Sequence, residues 1–161
     1  AIWRGVFEMV SERPVIGYGL GWQKMYDIAV NQGYMDRWEK SDQEPHQWAA
    51  RYFKVGRGAA NPHNLTMQIL FEAGGLGLAT YVVLLFATML TAWRVWCRGH
   101  NDLIVQWFAP TLLCYGVAYF LINLTNGIWL TSGPTLMLIC SAELLRQQYA
   151  QRTKGAVSAS R

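Results

Sequence analysis

Two stretches of this chain run without a charged residue: 73–93, which is 21 residues, and 103–142, which is 40 residues. A helix rises about 1.5 Å per residue, so a run of ~20 apolar residues crosses the ~30 Å hydrocarbon layer of a bilayer. The first stretch predicts one membrane span. The second predicts two, joined by a tight turn at Asn123-Leu124-Thr125-Asn126-Gly127. The expected spans are about 75–93, 103–123 and 128–145, with Pro110 and Pro134 as kinks in the second and third. The expected fold is all-α: a polytopic membrane helical bundle with a large extracytoplasmic loop.

Charge orients those spans. Residues 1–63 hold eight Lys/Arg and seven Asp/Glu, so this polar segment is near neutral. The other six basic residues, Arg94, Arg98, Arg146, Arg152, Lys154 and Arg161, all lie beyond span ends. The positive-inside rule then makes loop 94–102 and tail 147–161 cytoplasmic. Three spans leave residues 1–63 and the 123–127 turn on the opposite, outer side. The expected organisation is an extracytoplasmic segment at 1–63, a motif helix with three spans at 64–146, and a disordered polar tail at 147–161. The net charge of +4 includes no basic stripe in the polar segment, so membrane lipids are expected partners and nucleic acid is not. Cys97, Cys114 and Cys140 lie outside that segment, and no metal-ligand spacing is present, so neither a disulfide framework nor a metal or other cofactor is expected.

Within the outer segment, residues 1–13 read as an amphipathic helix with Ile2, Phe7, Met9 and Val10 as its apolar set, stopped by Pro14. Glycines at 17, 19 and 21 follow. Such a loop brings backbone close to a ligand or to a neighbouring helix, and both readings stand. Helices are expected at 23–32 and 43–55, separated by Gly33 and the charged run 36–42. The many Trp and Tyr side chains here suit a membrane interface and also the faces of sugars.

Between this segment and the first span lies Asn61-Pro62-His63-Asn64. Asn61 is a good N-cap and Pro62 suits a first helical position, so a helix is predicted to start there with His63 in its first turn. Unpaired backbone N–H groups and the helix dipole favour an anion at that place and disfavour imidazolium. A neutral histidine able to accept a proton is therefore expected. Gly74-Gly75 can end or kink the helix before the first span, or the small residues at 73, 74, 75, 77 and 79 can serve close helix packing. Glu72 comes nine positions after His63, on the opposite helix face, and is expected to make a structural ion pair or a capping contact. His46 has no second metal ligand at useful spacing.

His63-Asn64, nine residues, Gly74, two residues and Gly77 resemble the motif of the O-antigen ligase family, membrane glycosyltransferases that use polyprenyl-diphosphate-linked glycans. Pro14-Val15-Ile16-Gly17-Tyr18-Gly19, after the aromatic helix around Trp3, resembles a second block of that family. The blocks come in the family's order, and the resemblance covers about residues 1–93. Members usually carry further spans upstream and an arginine shortly before the Trp3 position. Arg4 follows Trp3 and does not match that arginine. The chain is therefore expected to be the C-terminal part of a larger protein.

The resemblance implies inverting, metal-independent glycosyl transfer on the outer face of a bacterial inner membrane. The donor is a polyprenyl-diphosphate-linked glycan, and the acceptor is a hydroxyl of a lipid A core or a growing polysaccharide. Such attack needs a base for the hydroxyl proton and cations for the leaving diphosphate. His63, positioned by Asn64, is the candidate base. Arg57, Arg51 and Arg4 are candidates for the diphosphate, since the guanidinium fork binds phosphate oxygens in pairs. Ligase and polymerase chemistry stay open within this reading. The alternative is a non-catalytic membrane scaffold or transporter fragment.

Overall fold

The computed structural model describes residues 2–98, 103–125 and 133–159, and every regular element among them is helical. Helix α1 (Ile2–Glu12) buries Gly5, Val6, Met9 and Val10. That spacing is one face of a 3.6-residue helix. Phe7, grouped in the sequence with the apolar set, lies well off this face and is 59% exposed.

Helices α2 (Met25–Asn31), α3 (Tyr34–Glu39) and α4 (Glu44–Gly56) follow a short 3₁₀ turn at Trp22–Lys24. Two of them fall where helices are expected. The third, α3, forms inside the charged run expected to act as a separator. Its Tyr34, Met35 and Trp38 supply a buried face at i, i+1 and i+4, while Asp36, Arg37 and Glu39 stay exposed. Local charge density loses here to the burial of three large side chains, each contributing roughly 1.5–3 kcal/mol.

Trp38 is the centre of this small core, tilted against Tyr34 and Phe53 with ring centroids 5.6 Å away in each case. Its indole N–H donates to Glu8 Oε2 at 2.7 Å. Glu8 Oε1 in turn meets His46 Nε2 at 2.5 Å, and His46 Nδ1 meets Ser41 Oγ at 2.8 Å. One carboxylate on α1 thus ties together α3 and the start of α4. Burial pushes the Tyr34 phenol above its ordinary value, with Glu12 and Tyr18 adding to the effect.

The chain divides into two compact units, residues 1–80 with 123–129 and residues 81–122 with 130–161. Helix α5 (Leu65–Arg98) begins in the first and continues in the second. Over Leu65–Cys97 it is long and apolar enough to cross a membrane, the one such helix among the described residues. It breaks at Gly74, which has φ 63 and ψ −163, so the kink expected at Gly74-Gly75 is present.

Helix α6 (Leu103–Asn123) and helix α7 (Gly133–Ala159) complete the second unit, apart from Asn123. Within it, a Cβ on Gly116 would lie 3.3 Å from Met89 Cγ, a close approach of α6 to α5 that a small residue permits. Trp107, Phe108, Phe120 and Leu121 face outward from α6, an arrangement suited to hydrocarbon surroundings. Helix α7 runs on through 147–159, where a disordered tail is expected. Gln and Ala make up six of the thirteen residues there and favour helix. Glu143 and Arg146 pair at 2.7 and 2.8 Å one turn earlier. Residues 99–102 of the expected loop, 126–127 of the turn, 128–132 of the third expected span and 160–161 of the tail lie outside the described residues.

Candidate functional site

Helix α5 starts at Leu65, so the start expected at Asn61 is corrected by three to four residues. Asn64 is its cap: Oδ1 accepts from the Met67 N–H at 3.1 Å. The Asn64 carbonyl accepts the first helical bond, from Gln68 N–H at 3.0 Å. Its Nδ2 donates to the Leu124 carbonyl at 2.9 Å. Asn61 and Asn64 are equally able caps by residue type. The partner at Leu124, 60 residues away, is present only for Asn64.

His63 therefore sits one residue before the cap and outside the first turn. Its backbone is left-handed, at φ 47. Asn61, freed from capping, accepts the His63 N–H on Oδ1 at 2.7 Å, closing a side-chain turn. Two further groups hold this turn. The Trp3 indole N–H donates to the Pro62 carbonyl at 2.7 Å. The Tyr52 hydroxyl donates to the Asn61 carbonyl at 2.8 Å and accepts the Asn61 N–H at 3.3 Å. Asn61, Pro62 and Asn64 are buried, and His63 between them is exposed. The Tyr52 ring stands edge-on to the imidazole at 6.2 Å. Among the described residues no side chain is hydrogen-bonded to the imidazole, which leaves both ring nitrogens open to a ligand.

Trp3 and Tyr52 are the partners that sequence reasoning missed. Trp3 carries a weak signal as the landmark of the preceding aromatic helix, but nothing local pairs it with a carbonyl 59 residues on. The three arginines are less gathered. Arg57 ends α4 with φ 44 and is exposed. Arg51 lies over the Trp48 ring at 5.9 Å and lines a polar hollow with Glu39, Gln47 and Lys54. Arg4 is half-exposed, 3.8 Å from Glu8. Among the described residues no hydrogen bond or ion pair joins any of them to His63. Trp3, the neighbour of Arg4, is the residue of α1 that donates to the turn. Glu72 makes the capping contact expected of it: Oε1 accepts from Gly21 N–H and from Gln68 Nε2, each at 3.3 Å.

The glycine-rich loop packs against a helix. The break at Gly74 interrupts the i to i−4 ladder of α5, and the loop fills the gap. Tyr18 and Gly19 N–H groups donate to the Phe71 and Glu72 carbonyls at 2.7 and 2.8 Å. In return the Gly75 and Leu76 N–H groups donate to the Pro14 and Val15 carbonyls at 2.7 and 3.1 Å. Four backbone groups that a kink exposes are thereby satisfied. Gly17 and Gly74 make the approach possible, since a Cβ on Gly17 would stand 2.5 Å from the Phe71 carbonyl oxygen and one on Gly74 would overlap Val15. Gly77 faces Ala73 one turn back, with no room for a Cβ between them, and Gly19 lies beside the Lys24 ammonium.

A family model described as O-antigen ligase matches residues 1–82. The match takes in α1, the glycine loop, the His63 turn and the kink. No curated protein and no solved structure matches the chain.

Proposed function

The chain belongs to the O-antigen ligase family, and from that premise we propose that it transfers a glycan from a polyprenyl diphosphate with His63 as general base. The family is one of membrane proteins with a ligase- or polymerase-type role in polysaccharide biosynthesis. At a coarse level that role brings together a lipid-linked glycan donor and a saccharide acceptor. The finer steps follow from the chemistry. An acceptor hydroxyl attacks the anomeric carbon, the new glycosidic C–O bond forms, and the bond to the diphosphate oxygen breaks. The hydroxyl proton passes to an imidazole nitrogen of His63. The diphosphate leaves as an anion, inverting the anomeric centre, and arginine stabilises it. Arg57 and Arg51 are the first candidates for that part, and Arg4 is the third. In this reading the site faces the outer side of the membrane, and the acceptor is a lipid or a saccharide.

The observation that carries the proposal is the His63 backbone. A left-handed non-glycine residue costs of order 1–2 kcal/mol, and strain of this kind collects at functional sites. Here three side chains from α1, α4 and the turn itself hold it, and the imidazole they present is exposed. The test is transfer from a lipid-linked donor by the purified full-length protein. A placed base contributes about 10²–10⁴-fold. His63→Ala and His63→Gln are both expected to lose transfer on that scale while inserting normally, since glutamine cannot take the proton. Turnover by correctly inserted His63→Ala within a few-fold of the parent would remove the base role. In the same assay Arg57→Lys is expected to lose activity if paired phosphate contacts matter. Full activity of Arg57→Ala would clear that residue from the site.

A further inference from the structure

The block Pro14 to Trp22 is not used by the transfer chemistry, and its side chains are placed for another task. It is nine residues without a charge, bounded by Arg13 and, two residues beyond, Lys24. Its backbone is committed to the kink of α5 and its Tyr18 and Trp22 rings pack on the core, but the side chains of Val15, Ile16 and Leu20 do not. Val15 is 64% exposed, Ile16 68% and Leu20 84%. Leu76, on the α5 turn just after the kink, is 64% exposed, and its N–H is bonded to the Val15 carbonyl. From there α5 continues as the helix that is long and apolar enough to cross a membrane. The exposed loop side chains are thus an extension of the apolar surface of the span at its outer end. Both flanking cations fold back over the loop. The Arg13 guanidinium lies over the Tyr18 ring at 5.1 Å. The Lys24 ammonium would be 3.4 Å from a Cβ on Gly19.

We propose that the 14–22 loop is an interfacial membrane anchor: Val15, Ile16 and Leu20 dip into the acyl boundary of the leaflet that α5 enters, and Arg13 and Lys24 meet lipid phosphates. The partner is a lipid surface, for two reasons. The apolar patch is continuous with a span that already requires hydrocarbon. The cations at its rim complement anionic headgroups in the manner of interfacial segments. This role is independent of what His63 does.

The experiment uses full-length protein in vesicles of phosphatidylethanolamine and phosphatidylglycerol, with a photo-crosslinking residue replacing Ile16 or Leu20 and, as reference, Val55. Val55 is 87% exposed and lies on α4. Illumination is expected to attach lipid at positions 16 and 20, several-fold more than at 55. Crosslinks from 16 and 20 to other segments of the polypeptide would mean that protein covers the loop, and would overturn the anchor. Lipid yields no higher than at 55 would mean that water covers it, and would overturn the anchor equally. A second readout is collisional relaxation of spin labels at Ile16→Cys and Leu20→Cys in a background with Cys97, Cys114 and Cys140 replaced. Oxygen should relax them more than a water-soluble nickel chelate does. The reverse order, or protection from both, would again refute the proposal.

Discussion

A Cβ on Gly17 would lie 2.7 Å from the backbone nitrogen of Gly74, and both residues hold positive φ. Two glycines 57 positions apart in sequence are thus one structural feature. Each removes the side chain that would keep the loop off the broken helix, and each adopts a backbone that L side chains disfavour.

Gly17→Ala and Gly74→Ala are therefore expected to destabilise the protein by about 2 kcal/mol or more each, from strain plus overlap. Gly58→Ala is the control, because nothing lies within 4 Å of a Cβ there. Thermal unfolding in detergent separates the three. An unchanged midpoint for Gly74→Ala would contradict the packed kink.

Asn64 does two jobs through two atoms, and substitution can divide them. Asn64→Asp keeps the cap to Met67 and loses the donor to Leu124. Asn64→Ala loses both. Loss of a cap costs about 1 kcal/mol and loss of one hydrogen bond a similar amount. The expected order of thermal stability is parent, Asp, Ala. Equal stability of the two variants would mean that the cap contributes nothing.

Tyr52→Phe removes the hydroxyl from Asn61 and leaves the ring beside His63, and Trp3→Phe removes the donor to Pro62. Under the proposed mechanism each loosens the base rather than the binding of substrate. A hydrogen bond worth about 1 kcal/mol corresponds to about a fivefold loss of kcat, with KM little changed. If both variants kept full kcat, the turn would hold His63 without them.

The proposed topology can be checked by labelling intact cells of the full-length protein with an impermeant thiol reagent. Ser41 is a poor reporter despite its place in the polar segment, because its hydroxyl is bonded to His46 and to the Gln43 N–H. Val55→Cys is well exposed and is expected to react. Native Cys97, near the end of α5, is expected to react only after lysis. The opposite pattern would reverse the orientation.

Much of this architecture is legible in the sequence where one local signal decides. The charge-free run from Leu103 predicts α6 to its last residue, Asn123, and Gly74-Gly75 predicts the break in α5. Where two local signals tie, a distant group decides, and the sequence alone is silent. Asn61 and Asn64 are both good caps; Leu124 selects the second, and the choice moves His63 out of the helix. Helix α3 forms against its charges because Trp38 finds Glu8 and Phe53, neither of them near in sequence. The left-handed state of His63 follows from the same kind of distant choice, so the residue type at the site is readable and its backbone state is not.

A glycine break in a helix is ordinarily a hinge. The break in α5 is closer to a weld, since bending it means parting four backbone hydrogen bonds at once. Load applied to α5 at the kink passes through the Pro14–Gly19 strap to α1, and from Trp3 of α1 to the carbonyl beside His63. The welded kink thereby acts as a mechanical reference for the imidazole.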